Sequence, residues 1–314
     1  MSVTFDQNMN LQSFAEAFGD RVDNFSMRLK ERVNSLDFAY RFPSDTEREN
    51  LYLEALRKIK ADKQKIGVPE RTQVWQDGWN ENLNMFRESD YDESALRPKF
   101  VRKGNPVRLN KKFIIPRNND FELNFIEIFR HWYIETYFSD IEEVHEFGCG
   151  TGFNLLAINK LFSEKKLYGS DFVQSSVDLV NTIASSKSIP LKGTYFNMLE
   201  PRSDYKVGPS SALYTFGSLE QLASKIEPIL DFFVAKRPAI CLHCEPAIEL
   251  YDDDSIVDLL GYQFQKQRGY TSGLIRKLKE LESEGKIEIL KIKRLFFGSF
   301  FMEGYNLFVW RPVK

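Results

Sequence analysis

The run Glu146-Phe147-Gly148-Cys149-Gly150-Thr151-Gly152 constrains this chain most, because an acid followed by three glycines at alternate positions leaves few folds open. Val144 and His145 before it, with Phe147, read as a short buried strand, and Asn154 to Ile158 after it read as the first turns of a helix. Together they form a strand-loop-helix unit. Glycines in the loop let the backbone take unusual dihedral angles and let a ligand approach the main chain without meeting a Cβ. The dinucleotide fingerprint needs its last glycine where Phe153 stands, which disfavours a nicotinamide or flavin nucleotide.

The next strand signal, Lys166 to Asp171, ends in an acid whose carboxylate can accept hydrogen bonds from both ribose hydroxyls. Taken with the glycine spacing, it resembles the first motif of class I S-adenosylmethionine-dependent methyltransferases, in which the loop wraps the methionine part of the cofactor. The resemblance implies S-adenosylmethionine as cofactor, held by Glu146, Gly148, Cys149, Gly150, Gly152, Asp171, Phe172, Asn197 and Met198. The family often carries an acid where Asn197 stands, to meet the adenine amino group, and the amide oxygen of Asn197 can accept the same bond. Further strand signals at 194–196, 211–216, 239–243, 286–292 and 305–310 fit the family's order, the last two as an antiparallel pair joined through Gly298 and Gly304. The implied fold is α/β, a doubly wound seven-stranded and mostly parallel sheet with an antiparallel C-terminal pair, preceded by a mainly helical extension.

Length and composition suit that division. The 314 residues allow one large or two modest domains, here a mainly helical substrate or lid region over 1–138 and a Rossmann-like methyltransferase domain over 139–314. Hydrophobic residues at 42% supply a core. No apolar run reaches the roughly eighteen residues of a membrane span, and residues 1–6 lack the basic and apolar segments of a secretion signal. Three cysteines are too few and too odd in number for a disulfide framework, so a reducing, cytoplasmic setting is expected. A net charge of −2 lacks the basic excess of a nucleic-acid binder.

In the N-terminal third, residues 11–66 read as two or more helices, with Leu11, Phe14, Ala15 and Phe18 at helical spacing. Trp75, Trp79, Leu83 and Phe86 fall on one face of another helix, and packing on the catalytic domain is preferred to an aromatic substrate platform. Between Arg97 and Arg117 the chain holds Lys99, Arg102, Lys103, Arg108, Lys111 and Lys112 and no acid. Pro98, Pro106 and Pro116 with Gly104 argue for an ordered, irregular connection. Either this is a loop over the cleft, with Arg102 and Arg108 gripping a cofactor carboxylate or a substrate phosphate, or it is a solvated face balancing acids elsewhere.

A hydroxyl acceptor must lose its proton as it attacks a methyl group, so a general base is required within hydrogen-bond reach, whereas a metal is not. Ligands in open α/β sheets lie beyond the carboxyl ends of the strands, which points to Glu220, Gln221, His243 and Glu245. His243 leads as the base because imidazole titrates near neutrality, with Glu220 as a second catalytic candidate and Glu245 facing the substrate. Cys241 and Cys244 read as buried thiols, since no second pair completes a zinc site. The triplet Asp252-Asp253-Asp254 reads as a helix cap. Tyr262, Arg268 and Tyr270 line an expected acceptor pocket, and their region, with residues 304–312, looks similar to sugar O-methyltransferases of bacterial glycan pathways. The resulting expectation is O-methylation of a small polar acceptor such as a sugar or a phosphorylated or nucleotide-linked sugar. The Asp/Asn-Pro-Pro-aromatic signature of many amino-group methylating enzymes is absent, with Thr215-Phe216-Gly217-Ser218 in its place. A protein or nucleic-acid methyltransferase and a non-catalytic cofactor-binding subunit are the alternatives.

Overall fold

In the computed structural model of the protein, residues 4–67, 70–97 and 101–313 are described. Pro98 and Lys99 of the basic segment lie outside them. The C-terminal part alternates strands and helices: β5 (Glu143–Phe147), α6 (Phe153–Leu161), β6 (Lys166–Asp171), α7 (Gln174–Lys187), β7 (Leu191–Tyr195), β8 (Ser211–Phe216), α8 (Glu227–Lys236), β9 (Ile240–Glu245), α9 (Ile256–Arg268) and α10 (Leu274–Ser283). It closes with β10 (Ile287–Lys293), β11 (Phe297–Gly298) and β12 (Asn306–Pro312). The N-terminal part contains β1 (Gln7–Asn8), α1 (Leu11–Phe18), α2 (Met27–Ser35), β2 (Ala39–Arg41), α3 (Asp45–Ala61), α4 (Glu70–Glu88), β3 (Val107–Leu109), β4 (Lys112–Pro116) and α5 (Phe121–Phe138).

The main sheet has seven strands in the order β10-β12-β9-β8-β5-β6-β7. The five central and distal strands run parallel, and β12 inserts antiparallel between β9 and β10. Both faces are covered, so strand residues are apolar on both sides. Along β12, Leu307 and Val309 join the core cluster under α5, while Phe308 and Trp310 join the one under α8 and α10. This is the doubly wound architecture expected.

The N-terminal extension departs from expectation by holding a second sheet, β1-β2-β4-β3-β11, antiparallel throughout. Its fifth strand comes from the C-terminal part of the chain. Within the basic segment residues 107–116 form the β3–β4 hairpin, while 101–106 before it run irregularly as expected. Asn110 and Lys111, with φ of 49° and 60°, make the two-residue turn that matches strand twist, and Pro106 and Pro116 stand at the hairpin's limits without interrupting it. Lysine is unusual at such a turn, which hid it from sequence reading.

Helix α5 is apolar around most of its circumference because it lies between the main sheet and α1 and α2. Phe18 of α1 stacks on Trp132 at 4.8 Å, and Phe125 of α5 stacks on Phe297 of β11 at 3.6 Å between ring centroids. Helix α4 is different. Leu83 and Phe86 at its C-terminal end are buried, whereas its first three turns lie half-exposed across the ends of β5 and α7.

Candidate active site

At the end of β5 the chain turns through Gly148, Gly150 and Gly152, with φ of 72°, 51° and 70°, before entering α6. Only glycine takes these values without strain. A Cβ on Gly148 would stand 2.4 Å from that of Ser218, so the loop at the end of β8 also requires hydrogen there. Asp171 ends β6 fully buried, accepting from the Gly150 N–H at 2.9 Å and the Val173 N–H at 3.3 Å. Burial raises its pKa despite those bonds. Ser176 completes the clamp by donating to the Gly150 carbonyl.

Glu146 is buried beneath the loop. Its Oε1 accepts from Asn154 at 2.7 Å, its Oε2 has no partner, and burial pushes the carboxyl up to about 8. An unpartnered buried carboxylate oxygen is costly, and an ammonium group at the glycine loop would satisfy it. Phe172 is half-buried, Met198 is buried beside Gly148, and Asn197 uses its amide oxygen to accept from the Leu199 N–H at 3.0 Å, closing a local turn. These groups suit a nucleoside with an amino-acid tail, such as S-adenosylmethionine. The free space beside the loop is about 80 Å³, because Trp79 of α4 lies over Gly150 and Gln76 bonds Ser175 at the start of α7.

A second cavity of about 510 Å³ opens beyond the end of β8 and shares Trp75, Phe216 and Gly217 with the loop space. Glu220, Arg268, Tyr270 and Arg102 line it, as expected from sequence. Burial and the neighbouring Glu245 carboxylate push Glu220 up to about 8. Arg268 is fixed by Asp62 at 2.7 Å and donates to the Tyr270 hydroxyl at 3.1 Å. Three lining groups were not found from sequence: Arg71, Glu122 and Tyr305. The Tyr305 hydroxyl donates to Glu122 at 2.8 Å, and burial holds Glu122 up at about 7. An acid set between apolar residues in the first turn of α5, next to Phe121 and Leu123, was the available signal for Glu122. For Arg71 it was a guanidinium one turn before a tryptophan, over whose ring it lies at 4.9 Å.

Four expectations need correction. His243 is fully buried, stacked on Phe233 and tilted against Trp310, with Nδ1 bonded to Thr215 at 2.9 Å; burial lowers its pKa to about 3. A neutral ring sealed in the core under α8 does not meet an acceptor. Glu245 accepts from the backbone N–H groups of Ser218, Leu219 and Glu220, so its carboxylate fixes the β8 loop instead of facing substrate. Arg108 is 1% exposed and donates through Nε and Nη1 to the carbonyls of Phe300 and Val257, with Nη2 buried and unpartnered, since it points inward from the hairpin. Tyr262 sits on the outer face of α9 beside Lys266, away from the cavity-lining Phe264. The acidic triplet also differs from expectation: Ser255 caps α9, while Asp252 and Asp254 pair with Lys111. Among the described residues, no group of His, Cys, Asp or Glu is arranged to hold a metal ion. The three cysteines are free and buried, and no described helix is long and apolar enough to cross a membrane.

No protein-family model matches the chain, and no curated protein matches it in sequence. Solved structures do match. The [4+2]-cyclase SpnF superposes with a TM-score of 0.53 at 12% identity, covering 80% of this chain and 100% of that one. The geranyl diphosphate C-methyltransferase of Streptomyces coelicolor A3(2), in complex with Mg2+, geranyl diphosphate and S-adenosyl-L-homocysteine, gives 0.49 at 12% identity, covering 79% and 100%. The neocarzinostatin O-methyltransferase NcsB1, in complex with S-adenosyl-L-homocysteine and 1,4-dihydroxy-2-naphthoic acid, gives 0.40 at 10%, covering 62% and 58%. At these identities the likeness is one of fold, and among the three it is the first that carries it. The protein has a Rossmann-like, doubly wound α/β architecture, which it shares with SpnF.

Proposed function

We propose that the chain is an S-adenosylmethionine-dependent methyltransferase that O-methylates a small polar acceptor, such as a sugar or a phosphorylated or nucleotide-linked sugar. One observation carries this reading: the glycine loop and the larger cavity meet at Phe216 and Gly217, with the Glu220 carboxyl on the cavity side. The glycine loop and Glu146 would hold the amino-acid end of the cofactor, and Asp171 its ribose. Bound there, S-adenosylmethionine supplies an electrophilic methyl group on a sulfonium. The protein's own part is to orient the acceptor, exclude water and take its proton. Glu220 is the candidate base. With a pKa of about 8 its proton-accepting form grows as pH rises through that value, so the rate should climb and level off above it.

Three buried thiols suit a reducing cytoplasm. A non-catalytic subunit is the second reading, favoured by the contact of Trp79 with Gly150. Calorimetry with S-adenosylhomocysteine should give a one-to-one complex; no heat would end the methyltransferase assignment. Incubation with S-adenosylmethionine and fractionated cell extract should then yield a product heavier by one methylene unit, and its absence would favour the non-catalytic reading.

A further inference from the structure

The larger cavity carries a charge pattern that selects among polar acceptors. Arg268 in the cavity wall is already paired with Asp62, and in the basic segment Arg117 is paired with Asp37, Lys103 with Asp120 and Lys111 with Asp252. Arg71 and Arg102 are not, and both line the cavity. The Nε of Arg71 is buried without any partner, and its Nη2 reaches only the amide oxygen of Gln221 at 3.5 Å. Arg102, at the exposed mouth, has no carboxylate partner among the described residues. The two acids of the cavity offset little of this charge, since burial holds Glu220 and Glu122 up at about 8 and about 7.

The remaining wall is aromatic. Phe264 and Phe301 stack at 5.0 Å, with Tyr270 edge-on to Phe264 and Phe300 edge-on to Phe301. Such a wall suits the flat face of a ring. Gln221 links the two ends of the site, donating to Glu220 at 2.8 Å while its oxygen faces Arg71.

Resting on the methyltransferase reading, we propose that the acceptor is a ring compound bearing a carboxylate or a phosphate, its anion held by Arg71 and Arg102 and its hydroxyl turned to Glu220. Guanidinium groups hold both anions bidentately, whereas a neutral amide leaves them unsatisfied. The cavity thus binds the anion at its mouth and leaves the far end for chemistry.

The test is a titration of the full chain, saturated with S-adenosylhomocysteine, with 4-hydroxybenzoate, phenyl phosphate and the neutral 4-hydroxybenzamide. Probes of this size are expected to bind in the millimolar range. The anions should bind about tenfold more tightly than the amide, and their relative affinities distinguish carboxylate from phosphate. Arg71→Gln should erase most of that advantage, and Arg102→Gln about threefold of it, with amide and S-adenosylhomocysteine affinities unchanged. Equal binding of amide and benzoate, variants that weaken all three probes alike, or no binding of either anion at about 10 mM would each overturn the proposal. If S-adenosylhomocysteine itself fails to bind, the methyltransferase reading falls, and the same probe ranking on the cofactor-free protein still decides the anion question.

Discussion

Two helical regions cover the main sheet, and they are held in different ways. Helix α1 is joined to α5 by rings, Phe18 alone packing against Phe14, Phe25, Phe125, Phe129 and Trp132, while α2 adds Leu29 and Val33 to the same core and pairs Arg32 with Glu127 of α5. The first turns of α4 are held by two hydrogen bonds from Ser175 to Gln76, a long one from Arg71 to Gln221, and Trp79 lying on the backbone of Gly150. The first region belongs to the core. The second covers the glycine loop, the proposed cofactor site, and about 80 Å³ beside the loop is far below the roughly 300–1,000 Å³ of ligand sites, so under that proposal entry requires α4 to give way. Lighter attachment there is what the proposed function would need.

The contrast is broken most directly by removing one ring from each region. Phe18→Ala should cost about 3–5 kcal/mol in chemical denaturation, the range for a buried phenylalanine. Trp79→Ala should cost less than about 1 kcal/mol and tighten S-adenosylhomocysteine binding by opening the loop. Equal losses of stability would show both helices to be core. A smaller effect is expected below the loop, where Asp171→Ala should weaken S-adenosylhomocysteine by about 1.5–3 kcal/mol by calorimetry. Unchanged affinity would remove Asp171 from the cofactor site.

The last effect is electrostatic. Burial holds Glu146 and Glu220 at about 8, and Glu122 and Glu245 at about 7, against 4.5 for a free glutamate. These four carboxyls keep protons that the unfolded chain releases, so their contribution to stability falls as pH rises from about 4.5 to about 8, offset in part below about 6.5 by His243 and His145, which burial holds neutral in the folded chain. Melting temperatures across that window should decline, and Glu220→Gln should flatten the decline. A melting temperature rising through the window would mean these carboxyls are solvated, and the close cover over the site would go with them.

The glycine loop, Asp171 and the strands of the main sheet were legible in sequence because each depends on local chemistry: a turn that tolerates no Cβ, an acid at a strand end, apolar runs of strand length. Burial of individual residues was not. In β9 both faces are covered, so nothing in Cys241-Leu242-His243-Cys244 marks which side chain meets a ligand. The basic run reads alike whether its members are solvated or, like Arg108, turned inward. Glu122 and Arg71 reach the cavity from helices more than a hundred residues before strand β9, and β11 is two residues long, too short for any pattern.

That short strand has a consequence for how the protein is made. Arg108 donates to a carbonyl 192 residues further along, in the segment just after β11, and Phe125 waits for Phe297 to close its ring stack. During synthesis the β3–β4 hairpin emerges early with its outer edge bare and its arginine unsatisfied. The small sheet can be finished only when nearly the whole polypeptide has left the ribosome, so a chain stopped before residue 297 would carry that open edge into the cell.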